Sequence, residues 1–271
     1  LRKVRLVTGT LSPGASVPVK GAFEIVSKEP QLTLAAELRA SIRANETFDH
    51  YQISGLTLDL DGKGDGLPEA GMQVGLNADI DLNLANGALQ VSGLEIDGAD
   101  VALSGDLSVI DLNESKPQVN GDLRLGKTNL KTLAALFGSK IETTDEAALT
   151  AVSADLKLLQ KGDVLKIDPF LVTLDETKLK GFVHVLNPKG PVLRAKLDID
   201  EIDVDRYLPP PGEDTAEVSD DTKVDSNPFK PLRKLDLEAE LNIGQLTANK
   251  LRMREVTLKV VNKNGVLNAE P

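Results

Sequence analysis

Val119-Asn120-Gly121-Asp122-Leu123-Arg124-Leu125 alternates apolar and polar side chains with a period of two. Successive side chains of an extended chain point to opposite faces, so Val119, Leu123 and Leu125 share one face while Asn120, Asp122 and Arg124 share the other. A segment of this kind is a strand with one dry side. The same alternation groups Leu32, Leu34, Ala36, Leu38, Ala40 and Ile42 on one side and the residues between them on the other. It recurs in Ile80, Leu82 and Leu84, in Leu235, Leu237, Ala239, Leu241 and Ile243, and in Val256, Leu258 and Val260.

Between the alternating runs stand Asn86-Gly87, Asp97-Gly98, Asn187-Pro188-Lys189-Gly190 and Asn264-Gly265. Asn and Gly tolerate the positive φ that tight hairpin turns need, so these pairs predict reversals and the strands run as an antiparallel meander. A parallel α/β sheet would instead show continuous apolar runs separated by long helices. The expected fold is all-β: an elongated meander forming a curved sheet, half-barrel or groove with an apolar inner face, plus one or two short helices.

A helix is predicted near residues 129–137, in Thr128-Asn129-Leu130 through Gly138. It has capping residues at its start, Leu130, Leu133, Ala134 and Phe137 on one stripe, and a terminating glycine. Asp203 to Leu208 reads as a shorter turn stopped by Pro209-Pro210-Pro211. Each follows a strand, which suggests a loose internal repeat of strands and a helical plug. Residues 209–231 are acidic, Pro-flanked and nearly free of apolar residues, the composition of a solvated linker. The chain therefore divides into a β array over 1–208, a linker over 209–231, and a continuation of the array over 232–271. The last residues read as a turn and a strand just begun, so the array is expected to be part of a longer one.

Composition narrows the function. With 3% aromatic residues and no Trp, burial rests on Leu, Val, Ile and Ala. A net charge of −11 argues against a phosphate-backbone partner, which needs clustered cations to displace counterions, so no nucleic acid is expected. The absence of Cys excludes thiolate metal sites, disulfides and Cys nucleophiles. No apolar run reaches the roughly 18 to 20 residues needed to cross a bilayer, and the start, Leu1 to Leu6, has no signal-peptide core.

No catalytic constellation emerges. His50 and His184 lie in unrelated segments and fit no HExxH or Ser/His/Asp order, so both read as rim histidines. Asp59 to Gly66 resembles a calcium loop, yet Lys63 and Ala70 stand where an EF-hand needs an oxygen ligand and a bidentate Glu. A polar hairpin loop is the better reading. The carboxylates of Leu197 to Asp205 suggest a glycosidase pair, but Asp198 and Asp200 fall together on the wet side of a strand. Asn45-Glu46-Thr47 and Asn113-Glu114-Ser115 fit the short glycosylation sequon. No enzyme activity, cofactor or metal is expected.

One stretch carries a resemblance. Val192 through Asp203-Val204-Asp205-Arg206-Tyr207-Leu208-Pro209 is similar to the strand-then-D-x-DRYLP signature of the AsmA family. Leu235 to Val256, running on to Asn264-Gly265-Val266-Leu267, resembles that family's C-terminal region, and Val119 to Gly138 and Leu171 to Val185 resemble its preceding repeats. The resemblance implies a periplasmic body, held to the inner membrane of a Gram-negative bacterium by an N-terminal helix that this sequence lacks. It further implies a role in outer-membrane biogenesis as a bridge-like lipid transporter, with no catalytic residues.

Under that reading the dry face is the site. The expected groove lining is Leu34, Leu38, Leu82, Leu84, Leu103, Val119, Leu123, Leu125, Leu197, Ile199, Leu237, Leu241, Ile243 and Leu258. The expected partners are phospholipid acyl chains, the inner membrane through the anchor, and other envelope proteins. The alternative is a non-enzymatic scaffold for outer-membrane assembly whose dry faces pack on one another as a closed β core.

Overall fold

A computed structural model of the chain describes residues 2–10, 12–29, 31–65, 67, 71–136, 139–187, 192–210, 236–263 and 266–270. Their strands form one sheet in sequence order. The first eight are β1 (Arg2–Thr8), β2 (Ser16–Lys28), β3 (Gln31–Ala44), β4 (His50–Gly64), β5 (Met72–Asn83), β6 (Ala88–Gly98), β7 (Val101–Ile110) and β8 (Gln118–Thr128). A helix, α1 (Leu130–Leu136), then precedes β9 (Val152–Lys161), β10 (Val164–Leu174), β11 (Thr177–Leu186) and β12 (Val192–Asp203). A single 3-10 turn at Val204–Arg206 precedes β13 (Asp236–Ala248), β14 (Leu251–Lys263) and β15 (Val266–Glu270). At ~4.8 Å per strand spacing, fifteen strands extend the sheet about 70 Å.

The sheet is open: β1 pairs with β2 alone and β15 with β14 alone among the described residues. It is also a single layer, since substantial contacts between elements join neighbouring strands, apart from β13 with the 3-10 turn. All pairs are antiparallel except β12 with β13, which are parallel. The meander is therefore interrupted once. β12 ends and β13 begins at opposite ends of the sheet, and residues 211–235, outside the described residues, connect them. The predicted linker lies almost wholly in that interval.

Several turns lie close to their expected places. The β6–β7 reversal is at Ala99–Asp100, both at positive φ, two residues beyond the expected Asp97-Gly98, which remain in β6. Asn249 and Lys250 make a similar two-residue turn between β13 and β14. The expected turns at Asn187-Pro188-Lys189-Gly190 and Asn264-Gly265 lie partly or wholly outside the described residues. In α1 the cap is Asn129 rather than Thr128, its Oδ1 accepting the Lys131 and Thr132 N–H groups. Phe137 and Gly138, expected on the stripe and at the stop, lie outside the described residues.

Five strands, β1, β4, β6, β8 and β10, carry a register shift that the simple alternation does not anticipate. Between Ile53 and Leu56 of β4, and between Val91 and Leu94 of β6, the chain inserts Ser54-Gly55 and Ser92-Gly93. Both glycines sit at φ 59°, and their N–H groups donate to Asp79 and Asp106 on the following strands at 2.7 and 2.9 Å. The extra residue of a bulge restores parity: Ile53 and Leu56 fall on the same face although they are three positions apart. β10 does the same with Asp168-Pro169 between Ile167 and Phe170.

Candidate functional site: the apolar face

Because directly paired residues share a face, the registers trace rows across the whole sheet. One row starts at Leu6 in β1 and passes through Gly21, Leu38, Leu58, Leu76, Ile96 and Leu103 to Leu125 in β8. It continues through Ala154, Val172, Leu179, Ile199 and Ile243 to Val256 in β14. Fourteen strands thus contribute one residue each, and none is polar. A second row runs through Tyr51, Leu82, Leu89, Val109 and Val119 to Gln160, then Leu165, Val185, Leu193 and Leu237. A third joins Leu123, Leu156, Phe170, Gly181, Leu197, Leu241 and Leu258.

Thirteen of the fourteen expected lining residues lie on this face. Leu34 and Leu38 are in β3, Leu82 in β5, Leu103 in β7, and Val119, Leu123 and Leu125 in β8. Leu197 and Ile199 are in β12, Leu237, Leu241 and Ile243 in β13, and Leu258 in β14. Leu84 departs from the expectation: it follows the end of β5, its N–H donates to the Asp49 carbonyl, and it is 42% exposed in the turn. Alternation extended one step too far there because nothing in Leu82-Asn83-Leu84 marks the strand's end.

The face is accessible. Leu34, Leu38, Leu82, Leu103, Leu123, Leu125, Leu197, Leu241 and Leu258 are half-buried, while Ile199, Leu237 and Ile243 are buried. In a single layer, burial comes from neighbouring side chains on adjacent strands rather than from a covering element. Close packing also explains two glycines within it. A Cβ at Gly181 would stand 1.9 Å from the Lys196 carbonyl, and one at Gly105 2.1 Å from that of Asp122. Polar groups on the face are few: Gln160 in its row, and Thr8, Ser27, Thr128, Thr177 and Asn262 near strand ends.

The opposite face is charged and holds the titratable residues. His50 Nε2 lies 2.8 Å from Asp81, whose carboxyl is held below its usual range by hydrogen bonds from Gln52 and then His50. His184 stacks on Phe182, their ring centroids 4.6 Å apart. Asp59 and Asp61 stand within β4 rather than in a hairpin loop, and the following loop begins at Asp65. Among the described residues, no group of three or more His, Asp and Glu side chains is placed to hold a metal ion. Both sequon asparagines are engaged: Asn45 Nδ2 donates to Thr47 and Asp49, and Asn113 Nδ2 to the Leu84 carbonyl.

At one end of the strands, Asp203 to Leu208 forms a clasp. Arg206 donates to Asp145 and Glu176, both at 2.6 Å, and its carbonyl accepts the Asp145 N–H. The Leu208 carbonyl accepts both the N–H and the hydroxyl of Thr144. Tyr207 Oη lies 3.1 Å from Asp175, whose carboxylate also accepts the Leu149, Thr150 and Ala151 N–H groups. Burial, and then the Asp175 charge, push the Tyr207 phenol up to about 12, so it stays protonated and donates. Asp205 accepts the Asn249 and Lys250 N–H groups of the β13–β14 turn. Six residues therefore tie together β12, the segment after α1, the β10–β11 turn and the β13–β14 turn. Asp203, Asp205, Arg206 and Tyr207 thus fasten the ends of several strands to one another.

The molecule thus belongs to a plain structural class: an open, single-layer β-sheet with one continuous apolar face. No family model, curated protein or solved structure matches the chain. Among the described residues no helix is long and apolar enough to cross a membrane.

Proposed function

We propose that the apolar face binds or conducts phospholipid acyl chains, as the periplasmic part of an AsmA-like protein in outer-membrane biogenesis. The observation that carries this reading is the row from Leu6 to Val256, an apolar path in register across fourteen strands with no covering layer among the described residues. Moving an acyl chain through water costs about 0.8 kcal/mol per CH₂, so a chain of ~16 carbons faces a barrier on the order of 13 kcal/mol. An aliphatic track removes much of that barrier. Because the lining is largely Leu, Val, Ile and Ala, it suits many weak, interchangeable contacts rather than one tight, oriented ligand. The D-x-DRYLP resemblance supplies the envelope setting: a body in the periplasm, anchored in the inner membrane of a Gram-negative cell by a segment outside this sequence.

The scaffold alternative requires the dry faces to seal against each other. The half-exposed leucines of a single layer favour the groove. The test is binding of a fluorescent fatty-acid probe to the purified chain. Leu123→Asp should weaken it at least about tenfold by placing a charge in the apolar track, whereas Asn120→Asp on the opposite face should leave it unchanged. Equal binding by both variants would sink the reading.

A further inference from the structure

The polar side chains of the apolar face are unevenly placed. Over β2 to β11 they are Ser27, Tyr51, Thr128, Gln160 and Thr177. Three are settled within the fold: the Ser27 hydroxyl donates to the Glu29 carbonyl, that of Thr128 to the Gly126 carbonyl, and Thr177 is buried. The Tyr51 hydroxyl and the Gln160 amide are different. Both side chains are half-buried, and neither has a hydrogen-bond partner among the described residues.

These two also stand in one row. Tyr51, Leu82, Leu89, Val109, Val119 and Gln160 pair in succession from β4 to β9. Each lies one residue inside the end of its strand, always the end opposite α1. Five strand spacings put Tyr51 and Gln160 about 24 Å apart, and the same row reaches Asn262 five strands further on. From Gln160 toward the α1 end, the same face of β9 offers Leu158, Leu156, Ala154 and Val152, about 27 Å of uninterrupted hydrocarbon. One acyl chain occupies about half of the ~30 Å hydrocarbon core of a bilayer, so it fits along a strand with length to spare.

A lipid chain laid over Tyr51 or Gln160 strips water from the polar atoms there. Unless the lipid itself supplies an acceptor, those atoms are left unpaired and binding is weakened. The chemistry of the donors narrows the acceptor. A neutral hydroxyl and a neutral amide suit a neutral carbonyl oxygen, whereas a phosphate is held most strongly by cations, and the row from Tyr51 to Gln160 contains none.

We infer that this row is a polar rail that gives bound lipids one orientation. Tyr51 and Gln160 donate to the ester carbonyl at the head of an acyl chain, and the chain runs along the strands toward the α1 end. The inference rests on the lipid-binding reading and deepens it. Contacts along the chain stay interchangeable, and only the side on which the polar end lies is set.

Palmitoyl lysophosphatidylcholine and its ether-linked analogue differ only at the carbonyl, and their binding to the whole chain tests the rail. Diphenylhexatriene, a pure hydrocarbon, probes the track separately. The unaltered chain should bind the ester about fivefold more tightly than the ether, and in Gln160→Leu combined with Tyr51→Phe the ratio should fall toward one. A doxyl group at the end of the palmitoyl chain should broaden the methyl resonances of Val152 and Ala154 more than those of Val119 and Leu165. Equal binding of ester and ether by the unaltered chain would overturn the rail. So would a preference that survives both substitutions, or broadening strongest at Val119 and Leu165. If diphenylhexatriene still binds, these results leave the track standing; if the unaltered chain does not bind it, track and rail fall together.

Discussion

Arg206 is the residue on which most local order converges, bridging Asp145 and Glu176 from one guanidinium. Charge-assisted hydrogen bonds in a partly buried setting contribute more than surface ion pairs, so Arg206→Ala should lower stability by about 1–2 kcal/mol in urea unfolding. Its pH signature separates it from a simple loss of packing. The Ala147 N–H, and then the Arg206 guanidinium, hold the Asp145 carboxyl below its usual range. A lowered folded-state value contributes stability that is complete above the ordinary carboxylate value of about 4 and is lost as pH falls through the lowered one. Urea midpoints should therefore decline on acidification below about 4, and in Arg206→Ala the decline should be smaller and should end at a higher pH. An unchanged profile would remove Arg206 from the clasp. Tyr207→Phe is milder, about 1 kcal/mol, because Asp175 retains three backbone donors.

The bulged strands show how elements keep the face continuous. At Gly93 a Cβ would meet nothing within 4 Å, so Gly93→Ala costs only the left-handed backbone, about 1–2 kcal/mol in thermal or urea unfolding. Deleting Ser92 and Gly93 together is a different matter. It would make Val91 and Leu94 adjacent and move Leu94 and Ile96 to the charged side, and soluble yield and far-UV circular dichroism should both collapse. At the parallel junction, Asp205→Ala removes the acceptor for two turn amides, and hydrogen exchange at Asn249 and Lys250 should quicken while β4–β8 stay protected.

The strands were legible because alternation is a local, two-residue signal, and for that reason Leu123, Leu197 and Leu241 could be placed on one side without a structure. The bulges were not: Ile53-Ser54-Gly55-Leu56 and Val91-Ser92-Gly93-Leu94 break the period, and the repeated Ser-Gly is the signal that identifies them. The parallel pairing was hidden too, because strand direction across a 25-residue connection leaves no periodicity to read. The partners of Asp203 to Leu208 lie as far away as Asp145 and Asn249, beyond the reach of any local pattern.

At the scale of the whole molecule, open edges, a single layer and an apolar row in register belong together. A closed sandwich would spend its leucines on its own core. Here a surface about 70 Å long stays half-exposed, far more than a soluble monomer ordinarily leaves uncovered without a use for it. The most direct measurement is photocross-linking in cells, in the full-length protein, from a photoreactive residue at position 123, 197 or 241, with position 120 on the charged face as control. The groove reading predicts phospholipid adducts from the first three positions and none from the fourth. Adducts with protein alone at positions 123, 197 and 241 would contradict it and favour a scaffold.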